Sequence, residues 1–139
     1  MPILTSLFFG FIPMLICAYF IYWLDRYEKE PVQLLGFVFI WGAIVASTAA
    51  FIINTFLGVG FYLFTASETL TDFATGAFFA PPVEEVLKGL AVFLVFLVFH
   101  HEFDSILDGI IYAAIAALGF AATENAFYIY SMGYLENGW

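Results

Sequence analysis

Apolar residues in this chain fall in long runs rather than at alternate positions. The first run, residues 3–23, is interrupted by Pro13 and ends among Tyr19, Tyr22, Trp23 and Tyr27. A bilayer core is crossed by roughly 20 apolar residues of helix, so this run predicts a transmembrane helix with a proline kink and an aromatic belt. The polar stretch Asp25-Arg26-Tyr27-Glu28-Lys29-Glu30-Pro31 follows, with Pro31 placed to open the next helix. A second run covers residues 32–57, with Asn54 its main polar residue and Gly58 and Gly60 expected to mark its end. Residues 67–72 read as a polar connection. The third run, residues 78–99, is irregular, because Pro81-Pro82-Val83-Glu84-Glu85-Val86-Leu87-Lys88 fills its first half. After the polar turn His100-His101-Glu102-Phe103-Asp104, a fourth run covers residues 106–130, with Asp108 near its start and Glu124-Asn125 near its end. The pattern predicts an all-α polytopic membrane bundle of about four transmembrane helices. No repeat, low-complexity tract or linker interrupts it, so residues 1–139 are expected to form one transmembrane domain.

Composition narrows the picture. Hydrophobic residues make up 64% of the chain, which argues against a water-soluble globule. Three cations, Arg26, Lys29 and Lys88, stand against 12 acidic residues, for a net charge of -9. Nucleic acid is excluded as a partner, because its binding needs clustered Lys and Arg. The single Cys17 excludes an intramolecular disulfide. No basic residue precedes the first run, which is therefore expected to be a retained span rather than a cleaved signal. Arg26 and Lys29 share the first connection, and the positive-inside rule puts that loop in the cytoplasm and both termini outside.

The charges inside the apolar runs need a reason, since an ionised side chain at mid-helix in lipid costs roughly 2.5–3.5 kcal/mol. Counted from Phe103, Glu84 and Glu85 lie 19 and 18 residues back and Glu124 lies 21 forward. At the α-helical rise these are roughly 28, 27 and 31 Å along antiparallel helices, one common depth. The three carboxylates are therefore expected to converge. Ala113 and Ala117 project within roughly 20° of Glu124, and Gly109, Ala113, Ala117 and Ala121 form a ridge expected to make a close helix contact. Lys88, one turn beyond Glu84 and Glu85, can offset one charge. Three carboxylates against one ammonium crowd like charges at low dielectric, an arrangement suited to general-base work on water. Pro82 fits either the first turn of a helix starting there or a kink in a helix over residues 73–99. Both versions place broken backbone at a polar layer, which implies a water-accessible pocket on the outer side. Asn54 reaches the outer half of its span, where it can hydrogen-bond the carboxylate layer or make a plain interhelical contact.

Blander readings compete with these. Glu84, Glu85 and Lys88 can be a solvated helix start, and Glu124-Asn125 a helix end at the interface. Asp104 and Asp108 suit a helix N-terminus, and His100-His101 an interfacial loop.

Four stretches carry a family resemblance. They are Asp25-Arg26-Tyr27-Glu28, Pro82-Val83-Glu84-Glu85-Val86-Leu87-Lys88-Gly89, Phe103-Asp104 through Asp108-Gly109-Ile110-Ile111-Tyr112, and Ala117-Leu118-Gly119-Phe120-Ala121-Ala122-Thr123-Glu124-Asn125. The second resembles the Glu-Glu-x-x-Lys motif, and the last the Phe-x-x-x-Glu motif, of the PrsW-type intramembrane proteases. That family is related in a wider grouping to the CAAX prenyl-protein endopeptidases. The resemblance spans about three quarters of the chain. It implies a multi-pass peptidase of the bacterial cell membrane, with Glu84, Glu85 and Glu124 activating or binding a water and Lys88, Asn125 and Asp108 in support, to which the depth of Asn54 adds that residue. The implied substrate is a membrane-anchored protein, by analogy an anti-sigma factor cut at a first site on the extracytoplasmic side.

The family is described as both metallo- and glutamic-type, and the resemblance makes a divalent metal such as zinc a possible cofactor, held by Glu84, Glu85 and Glu124 if by any residues here. Family members carry a later His motif in further spans, so the chain is expected to be C-terminally short. His100 and His101 cannot replace that motif, lying roughly 27 Å from the carboxylate layer. A homo-oligomer is one way to supply the missing group. Two other functions fit the same residues: an ion or proton relay through the carboxylates, and a non-catalytic scaffold docking through the small-residue ridge.

Overall fold

The computed structural model describes residues 2–25 and 29–138, without the side chain of Glu102. Arg26, Tyr27 and Glu28, which carry part of the orientation reading, the aromatic belt and the first motif, lie outside the described residues. The first run folds as α1, Pro2–Leu24, with Pro13 inside it. Pro31 caps α2, Val32–Ile40, and its carbonyl accepts the Leu34 and Leu35 amides at 2.9 and 3.1 Å. A widened π turn, Trp41–Ala46, joins α2 to α3, Ser47–Thr65.

One sequence-based boundary is corrected here. Gly58 and Gly60 do not end the second span, because α3 runs past both and stops at Ala66, whose φ of 52° is left-handed. In apolar surroundings a broken turn leaves unsatisfied backbone groups, so glycine alone does not terminate a helix flanked by Phe56, Leu57 and Tyr62. The polar connection over residues 67–72 is itself mostly helical. Ser67 caps α4, Glu68–Ala74, accepting the Leu70 amide at 3.4 Å, with Glu68 in the first turn where the helix dipole favours it.

From α4 the chain passes through a second π turn, Thr75–Phe79, into α5, Ala80–Val98. Of the two arrangements the prolines allowed, the continuous helix is the one present, and it begins earlier than residue 73. The widened turn holds Ala77 and Phe78, the residues whose carbonyls the rings of Pro81 and Pro82 would otherwise strike. A short 3₁₀ turn, His100–Glu102, leads to α6, Ile106–Tyr128. Ser105 and Asp108 form a capping box at its start: the Ser105 amide donates to Asp108 Oδ2 at 2.7 Å, and the Leu107 amide to Ser105 Oγ at 3.1 Å. A third π turn, Ile129–Glu136, follows α6.

Among the described residues, Pro2–Leu24, Val32–Thr65 and Ile106–Glu136 are long and apolar enough to cross a bilayer. α5 is the charged member, carrying Glu84, Glu85 and Lys88. The architecture is an all-α, multi-pass membrane bundle. α6 lies at its centre, with Ile111, Tyr112, Ile115 and Ala116 in a core shared with Leu35, Val38, Ala91 and Val95. On α1 the buried positions are Ser6 and Gly10, the latter against Ala122 and Ala126.

The tightest crossing joins α6 to the end of α2 and the first π turn. A Cβ on Gly42 would lie 2.0 Å from the Ala116 carbonyl oxygen, and one on Gly119 would lie 2.0 Å from that of Phe39. The contact face of α6 is therefore not the expected ridge. Ala113 and Ala117 are exposed, whereas Ala116, Gly119, Ala122 and Ala126 are buried. Small residues occupy both faces of α6, and their spacing does not reveal which face meets a neighbour.

Candidate active site

Successive residues on a helix project about 100° apart, so Glu84 and Glu85 leave α5 in different directions. The structure separates them. Glu84 lines a cleft of about 660 Å³ together with Glu124, Asn54, Asp72, Thr75 and Thr123. α3, α4 with its π turn, the start of α5 and the end of α6 form its walls. Glu84 and Glu124 lie near enough to interact electrostatically. The Glu85 side chain is 75% exposed and does not line the cleft. The expected convergence of three carboxylates is thus a convergence of two.

Lys88 stands between the acids. Its Nζ lies 2.8 Å from Glu85 Oε1 and 3.9 Å from Glu84 Oε2. It also sits over the Phe120 ring, 4.4 Å from the centroid. Phe120 is itself buried and reaches the cleft, so the ammonium is held by an aromatic face of α6 as well as by carboxylates of α5.

The first π turn ties both carboxylate-bearing helices in place. Trp41 Nε1 donates to the Leu87 carbonyl at 3.0 Å, fixing the turn of α5 that follows Glu84 and Glu85. Thr123 Oγ1 donates to the Ala43 carbonyl at 2.6 Å, and Ser47 Oγ donates to the same oxygen at 2.6 Å. Thr123 directly precedes Glu124, so this bond sets the rotation of α6 where the carboxylate projects.

Other sequence-derived residues lie elsewhere. Asn54 lines the cleft, while Asn125, next to Glu124, does not. Asp108 is at the far end of α6, 16 residues or roughly 24 Å from Glu124, where it serves the capping box. There it joins a buried group in which Tyr112 donates its hydroxyl to Glu30 and the Glu30 amide donates to Asp25 Oδ2 at 3.1 Å. His100 and His101 are exposed after α5 and are absent from the cleft. Sequence reading missed Asp72 and Thr75 as cleft residues because α4 was taken for a connection. The available signal was Ser67 followed by Glu68, a capping residue with an acid in the first turn.

The family model for the PrsW family intramembrane metalloprotease matches residues 30–138. The chain belongs to the PrsW family. It is 31% identical over 124 residues to Protease PrsW of Geobacillus kaustophilus, covering 89% of this chain and 52% of that protein. Protease PrsW of Oceanobacillus iheyensis is 32% identical over 130 residues, covering 94% of this chain and 56% of its own. For Protease PrsW of Clostridioides difficile the figures are 32% over 120 residues, with 86% and 48% covered. The chain spans about half the length of these PrsW relatives. No solved structure matches it.

The PrsW family description implies a metal. Catalytic zinc is usually held by three protein ligands with His or Cys among them. Among the described residues, no three His, Cys, Asp or Glu side chains come together in a group able to hold a metal ion. Glu84, Glu124 and Asp72 line the cleft without forming such a group, Glu85 turns out of it, and neither His100 nor His101 lines it. These residues alone do not fit a zinc site.

Proposed function

We propose that this chain carries the carboxylate site of an intramembrane peptidase that cleaves a membrane-anchored protein, an anti-sigma-factor-like substrate by analogy with the family. The observation that carries the reading is that Glu84 and Glu124, on different helices of a membrane bundle, share one cleft. A water between them would lose a proton to one carboxylate as its oxygen adds to the peptide carbonyl carbon. The same proton would pass to the amide nitrogen as the C–N bond breaks, restoring the carboxylate. Lys88 limits the repulsion between the acids, and Thr123 and Trp41 hold the two helices in register. The membrane-facing surface, with Phe56, Leu63 and Phe64 widely exposed, is matched to lipid tails. In this reading residues 1–139 act as one transmembrane domain, and the cleft opens to the extracytoplasmic side, opposite the connection that carries Lys29.

The test uses the full-length protein that contains this sequence, reconstituted with a membrane-anchored substrate. Glu84→Gln and Glu124→Gln should each lower cleavage at least about 100-fold, the lower range for general acid–base catalysis. Unchanged cleavage in both variants would sink the reading. Proton or cation flux that requires Glu124, with no proteolysis in the parent protein, would identify an ion relay instead.

A further inference from the structure

Two oxygens in the cleft wall opposite α6 are buried without a hydrogen-bond partner: Asn54 Oδ1 on α3 and Thr75 Oγ1 in the second π turn. Thr75 departs from the habit of its chain. Ser6, Ser47, Thr55, Thr65, Thr71 and Ser131 each donate to the carbonyl four residues back. Such back-bonding is how a helical hydroxyl is satisfied in lipid, and Thr75 forgoes it. Both residues line the cleft where α3 packs against the second π turn. Gly58, one turn after Asn54 on the same face of α3, lies so close that a Cβ there would come 3.3 Å from Thr75 Oγ1. An unmet polar atom away from water is costly, and two in one cleft wall mark a place built for a polar guest.

Peptide-bond hydrolysis inside a membrane supplies such a guest. A transmembrane substrate enters as a helix whose amides are all internally bonded, and its peptide carbonyl is open to attack only where that helix unwinds. Unwinding exposes backbone N–H and C=O groups that lipid cannot satisfy. A carboxamide offers an acceptor and a donor with the spacing of a peptide group, and a hydroxyl can do either. We infer that Asn54 and Thr75 bind the unwound backbone of the substrate, holding it across the cleft from Glu84 and Glu124. Their preferred ligand is a transmembrane helix with a helix-breaking centre. This deepens the peptidase reading and rests on it for the identity of the substrate, while the binding itself can be measured without turnover.

The measurement uses the full-length protein with Glu124→Gln, in lipid micelles, and two fluorescent transmembrane peptides of roughly 20 residues. One is a Leu-Ala helix with a central Gly-Pro, the other the same helix with Leu-Leu at the centre. The Gly-Pro peptide should bind more tightly. Thr75→Val, which keeps the shape of the side chain, and Asn54→Leu should each weaken its binding about tenfold, the effect of one hydrogen bond. Thr75→Ser should restore it, and the Leu-Leu peptide should not respond to any of these changes. Equal affinity for the Gly-Pro peptide before and after Thr75→Val, in protein with an unchanged thermal melt, overturns the inference. Should these binding differences appear while the parent protein cleaves no membrane-anchored substrate, the peptidase reading fails and the backbone-binding site stands.

Discussion

Thr123 donates its hydroxyl to the Ala43 carbonyl at 2.6 Å, a bond that joins α6 to the π turn of the second span one residue before Glu124. Thr123→Val removes the donor and keeps the shape. Interhelical hydrogen bonds in membranes contribute about 0.6 kcal/mol on average, so stability should fall by no more than about 1 kcal/mol. Cleavage should fall much further than stability, because the rotation of Glu124 toward Glu84 loses its anchor. Thr123→Ser should recover most of the activity. Parallel losses in melting temperature and rate would show that the bond only stabilises the fold.

Glu84 and Glu85 are adjacent in sequence and unequal in space. Glu85→Gln breaks an ion pair on a side chain that is 75% exposed, a change worth about 0–1 kcal/mol. It should retain at least about a tenth of parental cleavage, whereas Glu84→Gln should lose about 100-fold or more. Rates measured side by side on one substrate decide the point, and an equal loss in both would mean that Glu85 turns into the cleft when substrate is bound.

Lys88 separates those two acids and is the described cation closest to the cleft acids. Lys88→Met keeps most of the side chain's apolar stem but removes the ammonium that sits over Phe120 and pairs with Glu84 and Glu85. Removing one partner of a largely buried charge group typically costs about 3–5 kcal/mol. The Glu85 pair is exposed and Lys88 itself retains some access, so a smaller loss of about 1–2 kcal/mol is expected here. Lys88→Arg should preserve most of the stability. Denaturant unfolding in micelles gives the comparison, and a Met variant as stable as the Arg variant would show that the charge is immaterial.

What was legible in the sequence was what is local. The apolar runs gave the spans, the offset of Glu84 and Glu124 from Phe103 gave their common depth, and the acids flanking residue 105 gave the helix start that Ser105 and Asp108 cap. What depends on neighbours stayed hidden. The outward turn of Glu85 follows from where α6 lies relative to α5, and the burial of Gly119 in place of Ala113 follows from where the first π turn touches α6. Asp72 and Thr75 reach the cleft only because α4 folds back along α3, a step set by the left-handed Ala66 and the Ser67 cap.

The glycine crossing makes the sharpest prediction for stability. Gly42→Ala or Gly119→Ala would drive a methyl group to 2.0 Å from a backbone carbonyl oxygen, so the two helices must separate. Overpacking of this kind costs about 1–3 kcal/mol, and a backbone obstacle places these two at the upper end. Gly36 and Gly89 lie in α2 and α5 with open space where a Cβ would go. Alanine there should be neutral or stabilising by up to about 1 kcal/mol, since glycine is the poorer helix former. All four substitutions add the same methyl group to a helix, so intrinsic propensity alone predicts the same sign for each. Unfolding in mixed micelles should instead divide them into a destabilised pair, Gly42 and Gly119, and an unharmed pair, Gly36 and Gly89. Because the crossing also sets the position of Ala43 against Thr123, the destabilised pair should lose cleavage even at temperatures where the protein stays folded. Four indistinguishable unfolding curves would show that α6 does not cross the π turn at this distance.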